Sequence, residues 1–346
     1  MKVFFFSLFL SLSAFADVND GWQPASDPFI MGEYVSNFSK LPAKGRAAGE
    51  TRFWSGDYWA LNRGSINYRW NANNKRGFNL DSPKREKAMR MSQRDLSILS
   101  PSEKYDIFIG RYDYPLKNEV GQIANKKADE WEGICHGWAP ASVNHNEPTP
   151  KTVTNADGIV IPFGSSDIKA LISYYYAYGF QVDNTYQMGL RCFGSRTRET
   201  CDNDLNAGAF HIILTNKIGI QKKAFIADLV KSKEVWNHPV WAFESRVVKM
   251  GGRPERNSAK GTVEVIRVKT DVFYTNESEN FWETIMGTYL QDVMQKQYEY
   301  DLEINATGSI VGGKWKSSDR PDFIWNKSKP AQFEGTLSRL GELLND

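Results

Sequence analysis

The segment 131–141 reads Trp131-Glu132-Gly133-Ile134-Cys135-His136-Gly137-Trp138-Ala139-Pro140-Ala141. It leads from glycine to cysteine and then into small residues that can open a helix. A thiol at a helix start is stabilised as the thiolate, because unpaired backbone N–H groups and the helix dipole favour negative charge there. Pro140 fits the first turn of a helix but costs a hydrogen bond further in, so we expect a helix that begins slightly after Cys135 or is kinked. A buried, inert cysteine is the alternative interpretation.

A nucleophilic cysteine needs an imidazole base within hydrogen-bond reach. His136 is a poor base for Cys135, because adjacent residues of a helix point in different directions. His211 lies in the apolar run 209–214, and Asp228 interrupts a second apolar run; we predict that both runs are strands joined through a turn. If these strands pair, the carboxylate would orient the imidazole and stabilise its charge. The sequence therefore predicts a Cys135, His211, Asp228 triad, with a purely structural His–Asp pair as the alternative.

The N-terminus and the cysteines indicate an exported protein. Lys2 precedes an apolar run that ends in Ala14-Phe15-Ala16, which predicts a signal peptide over residues 1–16 and a secreted or periplasmic location. This run is shorter than the roughly 20 apolar residues of a membrane anchor. The chain has three cysteines, so pairing leaves one free. Cys192 and Cys201 flank a short polar loop, and we predict that they form a disulfide and leave Cys135 as the free thiol.

The composition is that of a globular protein, with 41% hydrophobic and 24% charged residues. A formal charge of +2 offers no broad attraction for nucleic acid, which makes a nucleic-acid-binding function unlikely on electrostatic grounds. No later run is apolar enough for a transmembrane segment. The predicted organisation is a signal peptide (1–16), an irregular and helical N-terminal arm (17–99), a catalytic core (100–250) and a C-terminal β-rich region (251–346).

Local signals predict helices in the first half and strands in the second. Residues 100–103 form a capping-box pattern, and residues 168–175 place an apolar stripe on one helix face. Further on we predict a strand over 262–268, a helix over 281–294 and an alternating strand over 298–304. The predicted fold class is α+β with an antiparallel sheet.

Five separated motifs, in chain order, resemble those of the transglutaminase elicitor family, secreted enzymes of plant-pathogenic oomycetes with relatives in marine and predatory bacteria. The segment 131–141 resembles the family's active-site segment. The other four are similar to its histidine motif, its aspartate strand, the peptide by which plants sense the oomycete members, and its C-terminal signature: residues 206–211, 225–228, 235–240 and 312–325. His238 stands where that peptide is expected to have glutamine. Residues 100–105 fit the bacterial branch, so the resemblance is to a bacterial homologue.

The resemblance implies a papain-like, transglutaminase-like catalytic core that transfers the acyl group of a peptidyl glutamine to a lysine amine and so forms isopeptide cross-links. Its partners would be proteins with accessible glutamine and lysine. Carried over to this sequence, it makes Cys135 the nucleophile, His211 the base and Asp228 the group that orients the base. If Asp228 does not take that role, Asn237 is the alternative.

Further residues are expected around the triad. The oxyanion should be held by the Cys135 backbone N–H and by one ring N–H, from Trp131 or Trp138, although core packing explains either ring equally well. His136 and Asn237 are expected to support the site. Trp236 and Trp241 follow Asp228 closely enough in the sequence to line the active site as a wall. Packing against the sheet is their alternative role.

No cofactor is required by the sequence, and the metal content stays open. Calcium dependence of oomycete relatives makes calcium an expectation from the resemblance alone. Residues 202–206 begin like an EF-hand loop, but Ala207 and Ile213 occupy the positions that require glycine and glutamate, which favours turn-forming carboxylates. Two other functions remain: a papain-like cysteine protease or amidase, which needs the same triad, and a non-catalytic exported wall-binding protein.

Overall fold

The computed structural model describes residues 22–73, 75–179, 185–191 and 205–344. The predicted signal peptide and the predicted Cys192–Cys201 disulfide lie outside these ranges. Within them, no helix combines the length and the apolar character needed to cross a membrane.

The helices occupy the first two thirds of the described chain. They are α1 (Arg85–Ala88), α2 (Gln93–Ser97), α3 (Pro101–Phe108), α4 (Pro115–Ile123), α5 (Cys135–Asn144), α6 (Ser165–Tyr174) and α7 (Ala207–Leu214). α3 begins at the predicted capping box, in which Ser100 and Glu103 each accept a hydrogen bond from the backbone N–H of the other. The predicted helix over the apolar stripe is α6. The region before α3 contains α1, α2 and short 3-10 turns, as expected for an irregular and helical arm.

One antiparallel sheet organises the molecule. Its strands are β1 (Lys44–Arg46), β4 (Thr185–Gly189), β5 (Phe225–Asp228), β6 (Asn237–Gly252), β7 (Thr262–Thr275), β8 (Val293–Asn305), β9 (Ile310–Trp315) and β10 (Phe323–Lys327), while β2 (Lys151–Thr154) and β3 (Val160–Phe163) form a separate pair. The order in the eight-stranded sheet is β4-β10-β5-β6-β7-β8-β9, and β1 pairs with β6. The mixture of helices and antiparallel sheet is the predicted one. β6 runs across the predicted domain boundary at residue 250, and the sheet continues beyond it.

The side chains of β5 show which helix covers which face of the sheet. Phe225 and Ala227 belong to the apolar core that contains α7, whereas Ile226 belongs to the core that contains α5. Successive residues of a strand point to opposite faces, so α5 and α7 pack on opposite faces of the sheet. Asp228 follows Ala227 and therefore faces α5, together with its register partner Asn237.

The predicted strand over residues 209–214 is wrong, because these residues lie in α7. Asn206 caps this helix by accepting a hydrogen bond from the Gly208 backbone N–H at 2.8 Å. The run is buried along its whole length. A continuous apolar run of this kind does not distinguish a buried strand from a buried helix.

The predicted helix over residues 281–294 is also wrong. The chain there consists of turns and bends until β8 begins at Val293. The carboxylate of Glu147 accepts the backbone N–H groups of Ile285 and Met286 at 2.9 and 2.8 Å. These hydrogen bonds to a side chain occupy backbone N–H groups that a helix in this segment would need. The apolar pattern of the segment gives no information on a partner so far away in the sequence.

Candidate active site

Cys135 is the first residue of α5, a helix of 10 residues. The preceding Ile134 has no side-chain oxygen, and it gives the helix no side-chain cap. Within the first turn the Gly137 N–H donates to the Ile134 carbonyl at 2.8 Å, and the N–H groups of Cys135 and His136 have no intrahelical acceptor. The helix starts at Cys135 itself rather than after it, and Pro140 lies in its interior.

The Cys135 thiol is covered in this structure. The residue is 5% exposed. Its sulfur lies 3.5 Å from Asn237 Nδ2 and 3.7 Å from the Val235 carbonyl oxygen, to which the thiol donates. The pKa of the thiol is raised to about 11, chiefly by burial and to a lesser extent by the Glu277 and Asp228 carboxyls, against the lowering effect of the Asn237 side-chain and backbone N–H groups.

Asn237 is held by Trp325 of β10. The Trp325 ring N–H donates to Asn237 Oδ1 at 2.8 Å. An indole nitrogen can only donate, so this bond fixes the amide with its Nδ2 toward the Cys135 sulfur. Asn237 was expected in a supporting role, whereas the part of Trp325 was missed. The only sequence signal for Trp325 was its position in the C-terminal motif, because it lies 88 positions from Asn237 along the chain.

Two buried carboxyl groups lie close enough to Cys135 to affect its ionisation. Asp228 accepts a hydrogen bond from the Val230 backbone N–H at 3.4 Å through Oδ1, and its Oδ2 has no hydrogen-bond partner among the described residues. Burial raises the pKa of Asp228 to about 8, with Asp322 adding to the rise. Burial also raises the pKa of Glu277, a residue that the sequence analysis missed, to about 8. Carboxyl groups with pKa values this close to neutrality are suited to exchanging protons.

His211 lies on the other face of the sheet. Its Nδ1 is 2.8 Å from the Tyr300 hydroxyl, which in turn lies 2.7 Å from Thr270 Oγ1. Burial lowers the pKa of His211 to about 3, so the imidazole is neutral. The predicted contact of His211 with Cys135 and Asp228 is absent among the described residues, because His211 is helical and belongs to the α7 core.

The other predicted supporting residues have individual partners. Trp138 donates its ring N–H to the Trp54 carbonyl at 3.2 Å, so this N–H is engaged within the core. The Arg191 guanidinium lies 6.0 Å from the ring of Trp131. His136 contacts Tyr178 edge-on at 5.7 Å, and burial, followed by the charge of Lys327, lowers its pKa to about 4.

The two predicted wall residues occupy different surroundings. Trp236 packs edge-on against Tyr58 with ring centroids 5.1 Å apart, next to the segment that covers Cys135. Trp241 stacks on Phe53 at 6.3 Å and lies under the Arg46 guanidinium at 4.7 Å. Trp241 lines a separate cavity of about 300 Å³ rather than the surroundings of the thiol.

The described residues show no cluster of acidic side chains for a calcium ion. Across residues 22–73, 75–179, 185–191 and 205–344, no three His, Cys, Asp or Glu side chains form a group that could hold a metal ion. Ala207 and Ile213 lie within α7 rather than in a calcium-binding loop. Residues 202–204 are outside the described ranges.

The fold belongs to a class that combines helices with an antiparallel sheet in the same arrangement as a solved transglutaminase. The crystal structure of the GP42 transglutaminase from Phytophthora sojae is similar with a TM-score of 0.67 and 22% sequence identity, over 91% of this chain and 94% of that chain. The family model described as "Transglutaminase elicitor" matches residues 27–341. The chain therefore belongs to the transglutaminase elicitor family, which confirms the resemblance seen in the motifs. No curated protein matches this sequence.

Proposed function

We propose that this protein is a secreted transglutaminase that joins a protein-bound glutamine to a lysine amine through a thioester on Cys135. The observation that carries the proposal is the position of Cys135 at an uncapped helix start, with the Asn237 amide fixed toward its sulfur by Trp325. Family membership supports the transferase reaction, and the N-terminal sequence pattern supports export.

In the first step the Cys135 sulfur attacks the glutamine carboxamide. A carbon–sulfur bond forms, the carbon–nitrogen bond breaks, and ammonia leaves with the proton that the thiol gave up. The Cys135 backbone N–H is the donor available for the oxyanion at this helix start. We assign the transfer of the proton to Asp228, because its carboxyl faces α5, has a free oxygen among the described residues and titrates near pH 8.

In the second step a neutral lysine amine attacks the thioester. The isopeptide bond forms, the carbon–sulfur bond breaks, and the surplus amine proton returns to the sulfur through the same carboxyl group. Water competes with the amine at this step, and holding the amine in place decides the outcome. Trp236, packed on Tyr58 beside the thiol, is the side chain that we assign to excluding water.

The covered thiol requires a small rearrangement before the reaction. The thiol donates to the Val235 carbonyl, and the same segment contributes Asn237. A glutamine carboxamide that enters the site would take the place of the Val235 carbonyl as partner of the sulfur. Asn237 would remain and stabilise the thiolate, because its amide is held from the other side by Trp325.

The test uses a glutamine-containing protein, a labelled primary amine and parallel assays of ammonia and incorporated label. We expect both products from the wild type and neither from Cys135→Ser, which removes the nucleophile with little change in volume. Trp236→Ala should shift the products toward ammonia without label.

Three outcomes would contradict the transferase proposal. Ammonia without label in the wild type would indicate an amidase, and cleavage of the protein backbone would indicate a protease. Full incorporation by Cys135→Ser would remove the nucleophile assignment. A wild-type protein that yields no product with any glutamine substrate would favour a non-catalytic binding function.

A further inference from the structure

A cavity of about 350 Å³ lies between the end of α5, the turn before β5 and the end of β10. Its lining contains five cationic side chains, from Arg52, Lys222, Lys223, Lys327 and Lys329, and no carboxylate. The whole chain carries 43 basic and 41 acidic residues, so such a one-sided wall is a local concentration of charge rather than a reflection of composition.

Three of the five cations of this cavity lack an acidic partner within the part of the chain that the structure describes. Among the described residues, Arg52, Lys222 and Lys223 take part in no ion pair. Lys327 is half-buried: its Nζ donates to the Tyr176 carbonyl oxygen at 2.6 Å, and burial lowers its pKa. Like charges gathered in a concave wall focus a positive potential and attract an anionic ligand.

The cavity lies close to Cys135 along two elements. Asn144 lines it and ends α5, the helix that Cys135 begins, and a rise of about 1.5 Å per residue puts the two ends about 14 Å apart. Along β10, Trp325 contacts Asn237, and Lys327 lines the cavity two residues later. Asn144 Nδ2 also donates to the Lys327 carbonyl at 2.9 Å, which ties these two walls together.

The size and surroundings of the cavity fit a peptide better than a single ion. It shares Arg52 and Phe53 with the neighbouring cavity of about 300 Å³ that Trp241 lines. The neighbouring cavity also contains the Glu50 carboxylate, so the cationic cavity suits the carboxylates of a chain segment, and the Phe53 and Trp241 rings suit its apolar atoms.

We propose that this cationic cavity binds a carboxylate-rich segment of the protein that supplies the glutamine. This inference deepens the proposed function and rests on it. An extended chain covers about 3.3 to 3.6 Å per residue, so the acidic residues should lie about four positions from the reactive glutamine.

The test is a binding measurement on the full chain carrying Cys135→Ser, which needs no turnover. The probe is a fluorescent glutamine peptide with two aspartates four and five positions from the glutamine, and the matched peptide carries asparagines there. We expect the aspartate peptide to bind more tightly and to weaken with added salt.

The variant that tests the site is Lys222→Glu with Lys223→Glu. We expect its affinity for the aspartate peptide to fall about tenfold, since each reversed contact changes binding modestly. Lys84→Glu with Lys87→Glu changes the net charge equally on exposed residues outside the cavity and should leave the affinity unchanged.

Several results would overturn the docking proposal. Equal affinity for the two peptides would do so, and so would an unchanged affinity of the Lys222→Glu, Lys223→Glu variant for the aspartate peptide. An equal loss of affinity in the Lys84→Glu, Lys87→Glu control would mean that the effect is one of net charge. Binding of polyphosphate but not of the aspartate peptide would mean that the cavity takes a different anion. Selective binding of the aspartate peptide without any amine incorporation by the wild type would instead reject the transferase and leave the docking site in place.

Discussion

At the scale of single residues, the ionisation of Asp228 links the proposed reaction to pH. Its pKa is raised to about 8, above the ordinary 3.8, because the carboxyl is buried. The folded protein therefore favours the protonated carboxyl, and this contribution to stability is lost as the pH rises from about 4 to about 8. The carboxylate that accepts the thiol proton is abundant only above this range.

We predict that kcat/KM for amine incorporation rises with pH through about 8 and that Asp228→Asn lacks this rise. The variant should lose several powers of ten in turnover, comparable to the roughly 10⁴ lost when a catalytic triad loses its carboxylate. A pH–rate profile of both proteins measures this. An Asp228→Asn variant with near-normal rates would exclude the carboxyl from proton transfer, and Asn237 would remain as the group that supports the thiolate.

His211 is predicted to matter more for stability than for the reaction. His211→Gln should lose the bond to the Tyr300 hydroxyl and cost about 1–3 kcal/mol in the free energy of unfolding. The kcat of the remaining folded protein should change less than tenfold. Tyr300→Phe is the matched control, because it removes the same bond from the other side. A folded His211→Gln protein whose kcat falls by powers of ten would restore His211 as the base.

At the scale of secondary-structure elements, the contact between α5 and α6 depends on a glycine. A Cβ added to Gly137 would lie 2.0 Å from the Ser173 carbonyl oxygen, so the two helices approach as closely as backbones allow. This contact fixes the helix whose first residue is Cys135.

We predict that Gly137→Ala lowers the free energy of unfolding by about 1–3 kcal/mol, the usual cost of overpacking. Gly121→Ala in α4 is the matched control, because the added Cβ would meet only Asn67 Nδ2 at 3.9 Å. In that helix the alanine should stabilise by roughly 0.5–1 kcal/mol. Denaturant unfolding of both variants measures the difference, and equal stabilities would mean that α5 can shift away from α6 at little cost.

Elements with local signals were predictable, whereas contacts across the sheet were not. The capping box at Ser100 and a helix near Cys135 were predicted from nearby residues, and α3 and α5 confirm both, although α5 begins at Cys135 rather than after it. The sequence could not distinguish a helix from a strand over residues 209–214, because their continuous apolar run shows neither a helical nor an alternating pattern. The wrong strand then placed His211 beside Asp228, and the Asn237–Trp325 bond had no local signal at all.

At the scale of the whole molecule, the sheet joins the predicted core to the predicted C-terminal region. β6 crosses residue 250, and the late strand β10 inserts between β4 and β5. The side chain that fixes Asn237 therefore comes from the far end of the chain.

We predict that a chain ending at residue 250 does not fold on its own. It would lack β7 to β10 and would expose apolar side chains of β5 and β6 that these strands help to bury. Circular dichroism and thermal unfolding should show no cooperative transition for the shortened chain and one for the full chain. A cooperative transition in the shortened chain would show that the part before residue 251 folds without the C-terminal strands.

The covered thiol has a consequence for inactivation kinetics. Small alkylating reagents react with the thiolate, and a buried thiol with a pKa near 11 presents little of it at neutral pH. Such reagents should therefore inactivate slowly and without saturation. A glutamine-mimicking electrophile that displaces the Val235 carbonyl should first form a reversible complex and then inactivate with a rate that saturates. Selective covalent inhibitors of this protein would owe their potency to recognition of the peptide around the electrophile rather than to the reactivity of the electrophile.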